Sequence, residues 1–327
     1  MLSIIMPAYI QDEQSLGWLN DAIVSVEAQD SKDWELIVIN DHSLVGWKPL
    51  TEHFKDSRIR GANAGGDTRS VSRARNQAAS MAKYDLLLPL DADDMLSKHA
   101  VTEFLKAWQN GGSQKGIVYS EVMMFGEMFR RHFKPPEYDF GTLLRSTFMT
   151  IGCLHRKSDW ELIGGWKPAL DVGFEDWEYW ISQGERGVCG FRVNHPLYWY
   201  RRHADGRAGL IHADTEIRDE AYTVMRELHL ETYDGRWPVG CCSGTRSVAN
   251  RRTKMPVASQ ANVAAGSPLR NPVSMRYVGK RKGSFGLKGK VTRRRYRVPG
   301  YDGTFLVDER DLPGLQRLGK GGMFRKA

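Results

Sequence analysis

Three short apolar runs, each stopped by polar residues, constrain this chain more than any other feature. They are Leu2 to Met6, the Leu36-Ile37-Val38-Ile39 stretch that follows Glu35, and Leu86-Leu87-Leu88-Pro89-Leu90. Runs that are apolar throughout suit strands covered on both faces. Between them lie segments with helical character: Leu19, Ile23 and Val26 recur at i, i+4 and i+7, and Val71 to Met81 is alanine-rich. Alternating strand and helix predicts an α/β fold built on a mainly parallel, doubly wound sheet with flanking helices. Ligands of such sheets bind beyond the carboxyl ends of the strands. Chemistry is therefore expected at Tyr9 to Glu13, at Asn40-Asp41 and at Asp91 to Asp94. Further on, Ser97 is a candidate cap for a helix reaching Trp108, and Ile117 to Val122 reads as another strand. Asp214 is a candidate cap for a helix with Ile217, Ala221, Val224 and Leu228 on one face.

Charge divides the chain. Residues 1–235 hold 26 Lys and Arg against 35 Asp and Glu, whereas residues 236–327 hold 21 against 4. All ten Trp fall at or before Trp237, and residues 238–272 contain no aromatic residue. The pattern predicts an acidic globular domain over 1–235, a flexible linker over 236–272 and a small basic β module over 273–327. Met275 to Val278, Val291 to Val298 and Thr304 to Val307 are its expected strands, with Asp302-Gly303 as a hairpin turn between the last two. No apolar stretch approaches the roughly 18 residues of a membrane-spanning helix. The start of the chain lacks a positive n-region and is interrupted by Pro7, so it reads as a strand rather than a signal peptide. The four cysteines show neither zinc-site nor disulfide-framework spacing, and a cytoplasmic location is expected.

Asp91-Ala92-Asp93-Asp94 follows its apolar strand directly. Three carboxylates so close repel one another unless a cation sits among them. Mg2+ and Mn2+ prefer oxygen ligands and bridge carboxylates to diphosphates. The alternative is an acidic helix start with Asp94 or Ser97 as cap and no metal.

The order of segments resembles family 2 glycosyltransferases of the GT-A fold, over roughly residues 2–205. Ser3 to Tyr9 resembles the family's opening strand, with Ile10 where Asn is usual. Asn40-Asp41-His42-Ser43 stands for its Asp-Asp-Gly-Ser. Ala74-Arg75-Asn76 matches the Ala-Arg-Asn of the next helix, and Leu88 to Asp94 matches the DxD strand. Ile163-Gly164-Gly165-Trp166 and Phe174-Glu175-Asp176-Trp177 resemble the acceptor-side Gly-Gly and Glu-Asp motifs, and Tyr200-Arg201-Arg202-His203 the closing arginine–histidine segment.

The resemblance implies a Rossmann-like GT-A domain that uses a nucleotide sugar, with UDP-sugar as the expected donor. Pro7, Ala8, Tyr9 and Glu13 would line the nucleoside pocket, and Asp41 would accept a hydrogen bond from uracil. Arg75 would meet the nucleotide near phosphate, where a planar cation pairs bidentately; a solvated helix face shared with Arg73 is the competing role. Asp91 would contact the ribose or assist the metal, Ala92 would line the same nucleotide site, and Asp93 would bind Mn2+ or Mg2+ directly. His203 is a candidate further ligand or a packed surface residue. Asp176 is the candidate general base or, alternatively, a helix cap. A helix start lowers a carboxylate's pKa, whereas a base works best near the ambient pH. The implied reaction is a single inverting displacement onto an acceptor hydroxyl of a glycan, lipid or protein.

Two other functions remain open on sequence alone. A nucleotidyltransferase would use the same acidic site, but Pro7-Ala8-Tyr9 occupies the place of a glycine- and lysine-rich phosphate loop. A nucleic-acid-associated or structural protein would act through the tail, where Arg293, Arg295 and Arg297 alternate with Arg294, Tyr296 and Val298 beside Lys280-Arg281-Lys282. That cluster is either a site for an anionic partner or a solvated face.

Overall fold

In this computed structural model the described residues are 1–45, 47, 56–126, 131–171, 173–203 and 214–235, together with the backbone of five strands beyond them. The chain divides into two compact units, Met1–Arg251 and Arg252–Ala327.

The first unit is a mixed nine-stranded sheet with helices against it. Its strands are β1 (Leu2–Ala8), β2 (Trp34–Asn40), β3 (Ile59–Asn63), β4 (Leu86–Pro89), β5 (Met95–Leu96), β6 (Gly116–Gly126), β7 (Arg131–Phe133), β8 (Leu154–Arg156) and β9 (Cys189–Arg202). They lie in the order β3-β2-β1-β4-β8-β6-β9-β5, with β7 paired to β6. The β3-β2-β1-β4 part is wholly parallel. β8 runs antiparallel to both β4 and β6, and β6 and β9 share a long parallel ladder. Every residue of β1 is buried, as are the first six of β2. That double-sided burial is the physical origin of the apolar runs, and the buried Ser3 hydroxyl within β1 donates to Glu35 in β2.

The main helices of this unit are α1 (Glu13–Glu27), α2 (Val71–Met81), α3 (Ala100–Ala107), α4 (Lys157–Ile163), α5 (Glu175–Glu185) and α6 (Thr215–Leu228). Asp12 caps α1 through the Ser15 amide, and Ser70 caps α2 through the Arg73 amide. α3 begins two residues later than a Ser97 cap requires, with His99 before it and no side-chain cap. The Asp214 carboxylate does cap α6, accepting from the Ile217 amide at 3.2 Å. The buried stripe of α6 runs through Ala221 and Met225, while Leu228 is exposed. The expected Ile217-Ala221-Val224-Leu228 face is thus rotated by about one residue. No helix among the described residues is long and apolar enough to cross a membrane. Cys153 is a buried free thiol, whereas Cys189 is disulfide-bonded, which cysteine spacing does not announce.

In the second unit β10 (Val273–Tyr277) pairs antiparallel with β13 (Thr304–Val307) and β14 (Phe324–Lys326), and β11 (Phe285–Lys288) pairs with β12 (Arg295–Val298). The expected hairpin between β12 and β13 is therefore not the observed ladder: each strand pairs with an earlier one. Asp302, Gly303, Arg293, Arg294, Lys280 to Lys282 and the linker over 236–272 lie outside the described residues.

A buried ion cluster ties the residue that follows α6 to α5. His229 sits between two carboxylates, 2.7 Å from Glu185 and 3.2 Å from the buried Glu178. Burial alone would lower its pKa, but hydrogen bonds to Glu178 and Glu185 overrule it and raise the value to about 9. A folded pKa above the unfolded value stabilises fully below about 6.5 and is lost as pH rises through the folded value. The fold is therefore expected to lose on the order of 2 kcal/mol between pH 6.5 and 9.5 from this site. Urea unfolding of the wild type and of His229→Gln at the two pH values checks it. The variant should show a clearly smaller loss, and equal losses would refute the account.

Candidate active site

The parallel ladder brings three chain reversals to one edge. Ala8 faces Asn40, and Ile5 faces Pro89, so Tyr9, Asp41 and Asp91 emerge side by side. Pro7 and Ala8 themselves are buried, and the Ala8 carbonyl accepts from the Asp41 amide at 2.7 Å. They position the edge through their backbone. The Ile10 side chain is buried, and its amide donates to the Ser43 hydroxyl. Asn40 ties the next turn by accepting from the Ser43 amide and donating to Asn63. His42 adopts a left-handed φ of 63°, which explains why the resembled pattern has Gly there. Glu13 is exposed at the start of α1, and no described contact joins it to the other site residues.

Asp41 is buried, and both its oxygens accept from the Ser70 amide at 2.9 and 3.0 Å. Burial raises its pKa, against the opposing effects of that amide and of Arg69. Arg69, which sequence reading missed, lies over the Tyr9 ring at 4.0 Å.

Arg75 is 1% exposed. One guanidinium nitrogen meets Asp91 at 2.6 Å and another meets Glu175 at 3.0 Å. Burial works against its charge, but Asp91 and Glu175 raise its pKa above the ordinary value. This corrects the alternative of a solvated helix face: Arg75 faces inward and joins the acidic turn after β4 to the start of α5. Its neighbour Asn76 clasps the Gly-Gly-Trp turn, accepting from the Trp160 indole and the Trp166 amide and donating to the Trp166 carbonyl, each at 2.9 Å. Gly165 has φ 71°, and a Cβ there would lie 2.2 Å from Asn76 Oδ1. Glycine is required by both conformation and space.

The three acidic side chains bring ligand atoms within 4.8 Å of one another, but their environments differ. Asp94 is buried; it accepts from the Tyr198 hydroxyl at 2.6 Å and the Arg201 amide at 2.7 Å. Burial raises its pKa strongly, and Asp93 and Asp91 add to that. Asp94 thus pins the acidic turn to β9. Asp91 is held by Arg75, and half-buried Ala92 separates it from Asp93. Asp93 is 39% exposed, and His203 Nε2 lies 3.1 Å from its Oδ2. The His203 ring packs on Trp18 at 4.4 Å. An all-oxygen donor group with one adjacent imidazole fits a hard divalent cation such as Mg2+ or Mn2+. The carboxylates of Asp91, Asp93 and Asp94 are close enough together to hold such an ion.

Asp176 is the second residue of α5, whose N-cap is Phe174 at φ 67° with no side-chain cap. The capping role expected as an alternative is therefore not taken. The Asp176 carboxylate accepts from the Trp177 amide at 2.7 Å. Its pKa is raised to about 6, first by burial and then by Glu175, with Arg75 opposing. The helix-start argument for a lowered value does not hold, because desolvation outweighs the dipole.

The sheet order and the helices against it are those of a GT-A-type fold. The chain matches solved enzymes of that class: S. aureus TarS residues 1–349 with UDP-GlcNAc, at TM-score 0.53 and 15% identity over 63% of this chain and 60% of that one. It also matches the mannosyltransferase PcManGT from Pyrobaculum calidifontis with GDP-Man and Mn2+, at TM-score 0.53 and 16% identity over 72% of this chain and 65% of that one. The chain thus spans about 60% of the TarS fragment. TuaG of Bacillus subtilis, named for teichuronic acid biosynthesis, is 26% identical over 205 residues, which is 62% of this chain and 79% of TuaG. Residues 3–157 match the model of glycosyl transferase family 2. Just under half of the chain is thus similar to glycosyl transferase family 2.

Proposed function

We propose that the protein is a metal-dependent, inverting glycosyltransferase that moves a sugar from a UDP-sugar to an acceptor hydroxyl. One observation carries this reading. Arg75 unites the acidic turn and the Glu175-Asp176 helix start, residues far apart in sequence, in a single buried ion cluster. That cluster sets a donor-side carboxylate group beside a carboxylate with a pKa suited to proton transfer.

Asp41 accepts a hydrogen bond from the uracil ring, with Tyr9 and Arg69 beside it. Asp91 lies where the ribose of the donor would stand. Asp93 and His203 would hold a divalent cation, which would supply positive charge opposite the leaving diphosphate. Asp176 takes the proton of the acceptor hydroxyl as its oxygen bonds to the anomeric carbon from the face opposite the leaving group. One bond forms, the bond to the nucleoside diphosphate breaks, and the anomeric configuration inverts. The acceptor is a glycan, lipid or protein hydroxyl. The basic C-terminal unit, with its excess of Lys and Arg, attracts an anionic partner by charge.

Thermal unfolding with UDP, GDP or ATP, with and without Mn2+, tests donor and metal together. UDP with Mn2+ should raise the Tm by several degrees, EDTA should remove the shift, and UDP-sugar turnover should give the inverted anomer by NMR. Stabilisation by GDP instead of UDP would overturn the base assignment. Shifts indifferent to EDTA would overturn the metal. Stabilisation by DNA or RNA alone, weakened by salt, would favour a nucleic-acid role.

A further inference from the structure

Asp171 belongs to none of the sequence motifs. It follows the short 3-10 turn Pro168–Leu170 and precedes Asp176 by five residues. Its carboxylate reaches back about a hundred residues along the chain to the start of α2. One oxygen accepts from the Ser70 hydroxyl, and the other accepts from the Ser72 amide at 3.1 Å. The Ser70 amide meanwhile donates to both oxygens of Asp41. A single serine therefore touches the carboxylate assigned to the donor base and the segment that leads to Asp176.

The same segment is fastened to α2 at further points, one of them the Ser72 hydroxyl, which donates to the Lys167 carbonyl at 3.3 Å. Asn76 holds Trp166 at its beginning, and Arg75 holds Glu175 at its end. Between those anchors the backbone passes through Gly173 at φ 149° and Phe174 at φ 67°. A non-glycine residue in the left-handed region persists only where its surroundings over-determine it. Asp171 is the anchor nearest those two residues on the N-terminal side. Two neighbouring carboxylates at one helix start are tolerable because the free amides and the helix dipole favour negative charge there.

We propose that Asp171 is a positioning residue for sugar transfer: it locks the segment bearing Asp176 to Ser70, so that the donor-base pocket and the proton acceptor keep a fixed spacing. The proposal rests on Asp176 being the base. Misplacement of a reacting group by about 1 Å costs on the order of 100-fold in rate, so the effect belongs in kcat rather than in donor binding.

The experiment compares wild type, Asp171→Ala, Asp171→Asn, Ser70→Ala and Asp176→Asn in steady-state transfer, with UDP binding in Mn2+ measured by calorimetry. Asp171→Ala should lower kcat about 10- to 100-fold while the Kd for UDP stays within about threefold. Asp171→Asn keeps an acceptor oxygen for the Ser72 amide and should recover most of the loss. Ser70→Ala removes the hydroxyl but keeps the amide on Asp41, so it should lower kcat by a smaller factor with UDP binding retained; this variant decides the matter if Asp171→Ala does not fold. Wild-type kcat in Asp171→Ala, or UDP affinity falling in step with kcat, would overturn the positioning role while an inactive Asp176→Asn leaves the base assignment standing. Wild-type turnover by Asp176→Asn would overturn both.

Discussion

Asp176→Asn should lower kcat by about 10³-fold while UDP binding in Mn2+ stays within a few-fold of the wild type. The amide cannot accept a proton at neutral pH, yet it preserves the shape and the hydrogen bond from the Trp177 amide. The effect therefore isolates proton transfer from packing. The wild-type pH profile should carry the same signature. A general base works only when ionised, so the rate rises with pH through the pKa of Asp176 and levels above it. With that pKa raised to about 6, kcat/KM should fall roughly tenfold for each pH unit below the limb and change little from about pH 7 upward. The competing forces on this carboxylate have unequal sizes. A helix start is worth roughly 0.3–1 kcal/mol in favour of the anion, whereas burial shifts carboxylates by as much as several pKa units. Glu175 adds repulsion in the same direction as burial. Turnover by Asp176→Asn at the wild-type rate, or an acid limb that stays in place in that variant, would remove Asp176 from the mechanism.

The parts of this site that sequence made legible are those encoded locally. Apolar runs with polar ends located β1, β2 and β4, and the acidic turn had to follow β4. Trp177, Trp180 and Ile181 stand at helical spacing on α5, and all three are buried. What sequence concealed depends on residues that meet only when the chain folds. The burial of Arg75 was hidden because its partners, Asp91 and Glu175, lie 16 and 100 residues away. Tyr198, which donates to Asp94 and accepts from the Asp91 amide, sits in a strand whose alternation reveals nothing of that partner. Asp94 carries the same side chain as Asp93, and only burial separates an anchoring carboxylate from an accessible one. The α6 stripe was misplaced for a related reason: Leu228 is apolar in sequence, but the helix presents Ala221 and Met225 to the interior. In the C-terminal unit a turn dipeptide suggested a local hairpin, and the observed pairings link β13 to β10 and β12 to β11.

Arg75→Met should be the most destabilising single substitution in the site, by about 3–5 kcal/mol. The side chain is similar in length and packs well, so cavity formation contributes little. The cost comes from the two carboxylates it leaves behind. Glu175 has 7% of its side chain exposed and Asp91 20%, so neither is free to recover full hydration. Lysine is expected to be a poor substitute, because a compact ammonium does not reproduce a guanidinium that spans two separate carboxylates. Arg75→Lys should lose about 2 kcal/mol. Breaking a buried pair is costly, whereas removing both charges is often nearly neutral. Arg75→Met combined with Glu175→Gln should therefore be more stable than Arg75→Met alone. Equilibrium urea unfolding at pH 7 measures all three. The catalytic consequence is separable from stability. Arg75 opposes the upward shift at Asp176, so folded Arg75→Met should need a higher pH to reach its own plateau than the wild type does. A wild-type-like urea midpoint together with an unmoved acid limb would mean that the Arg75 cluster neither holds α2 to α5 nor tunes the base.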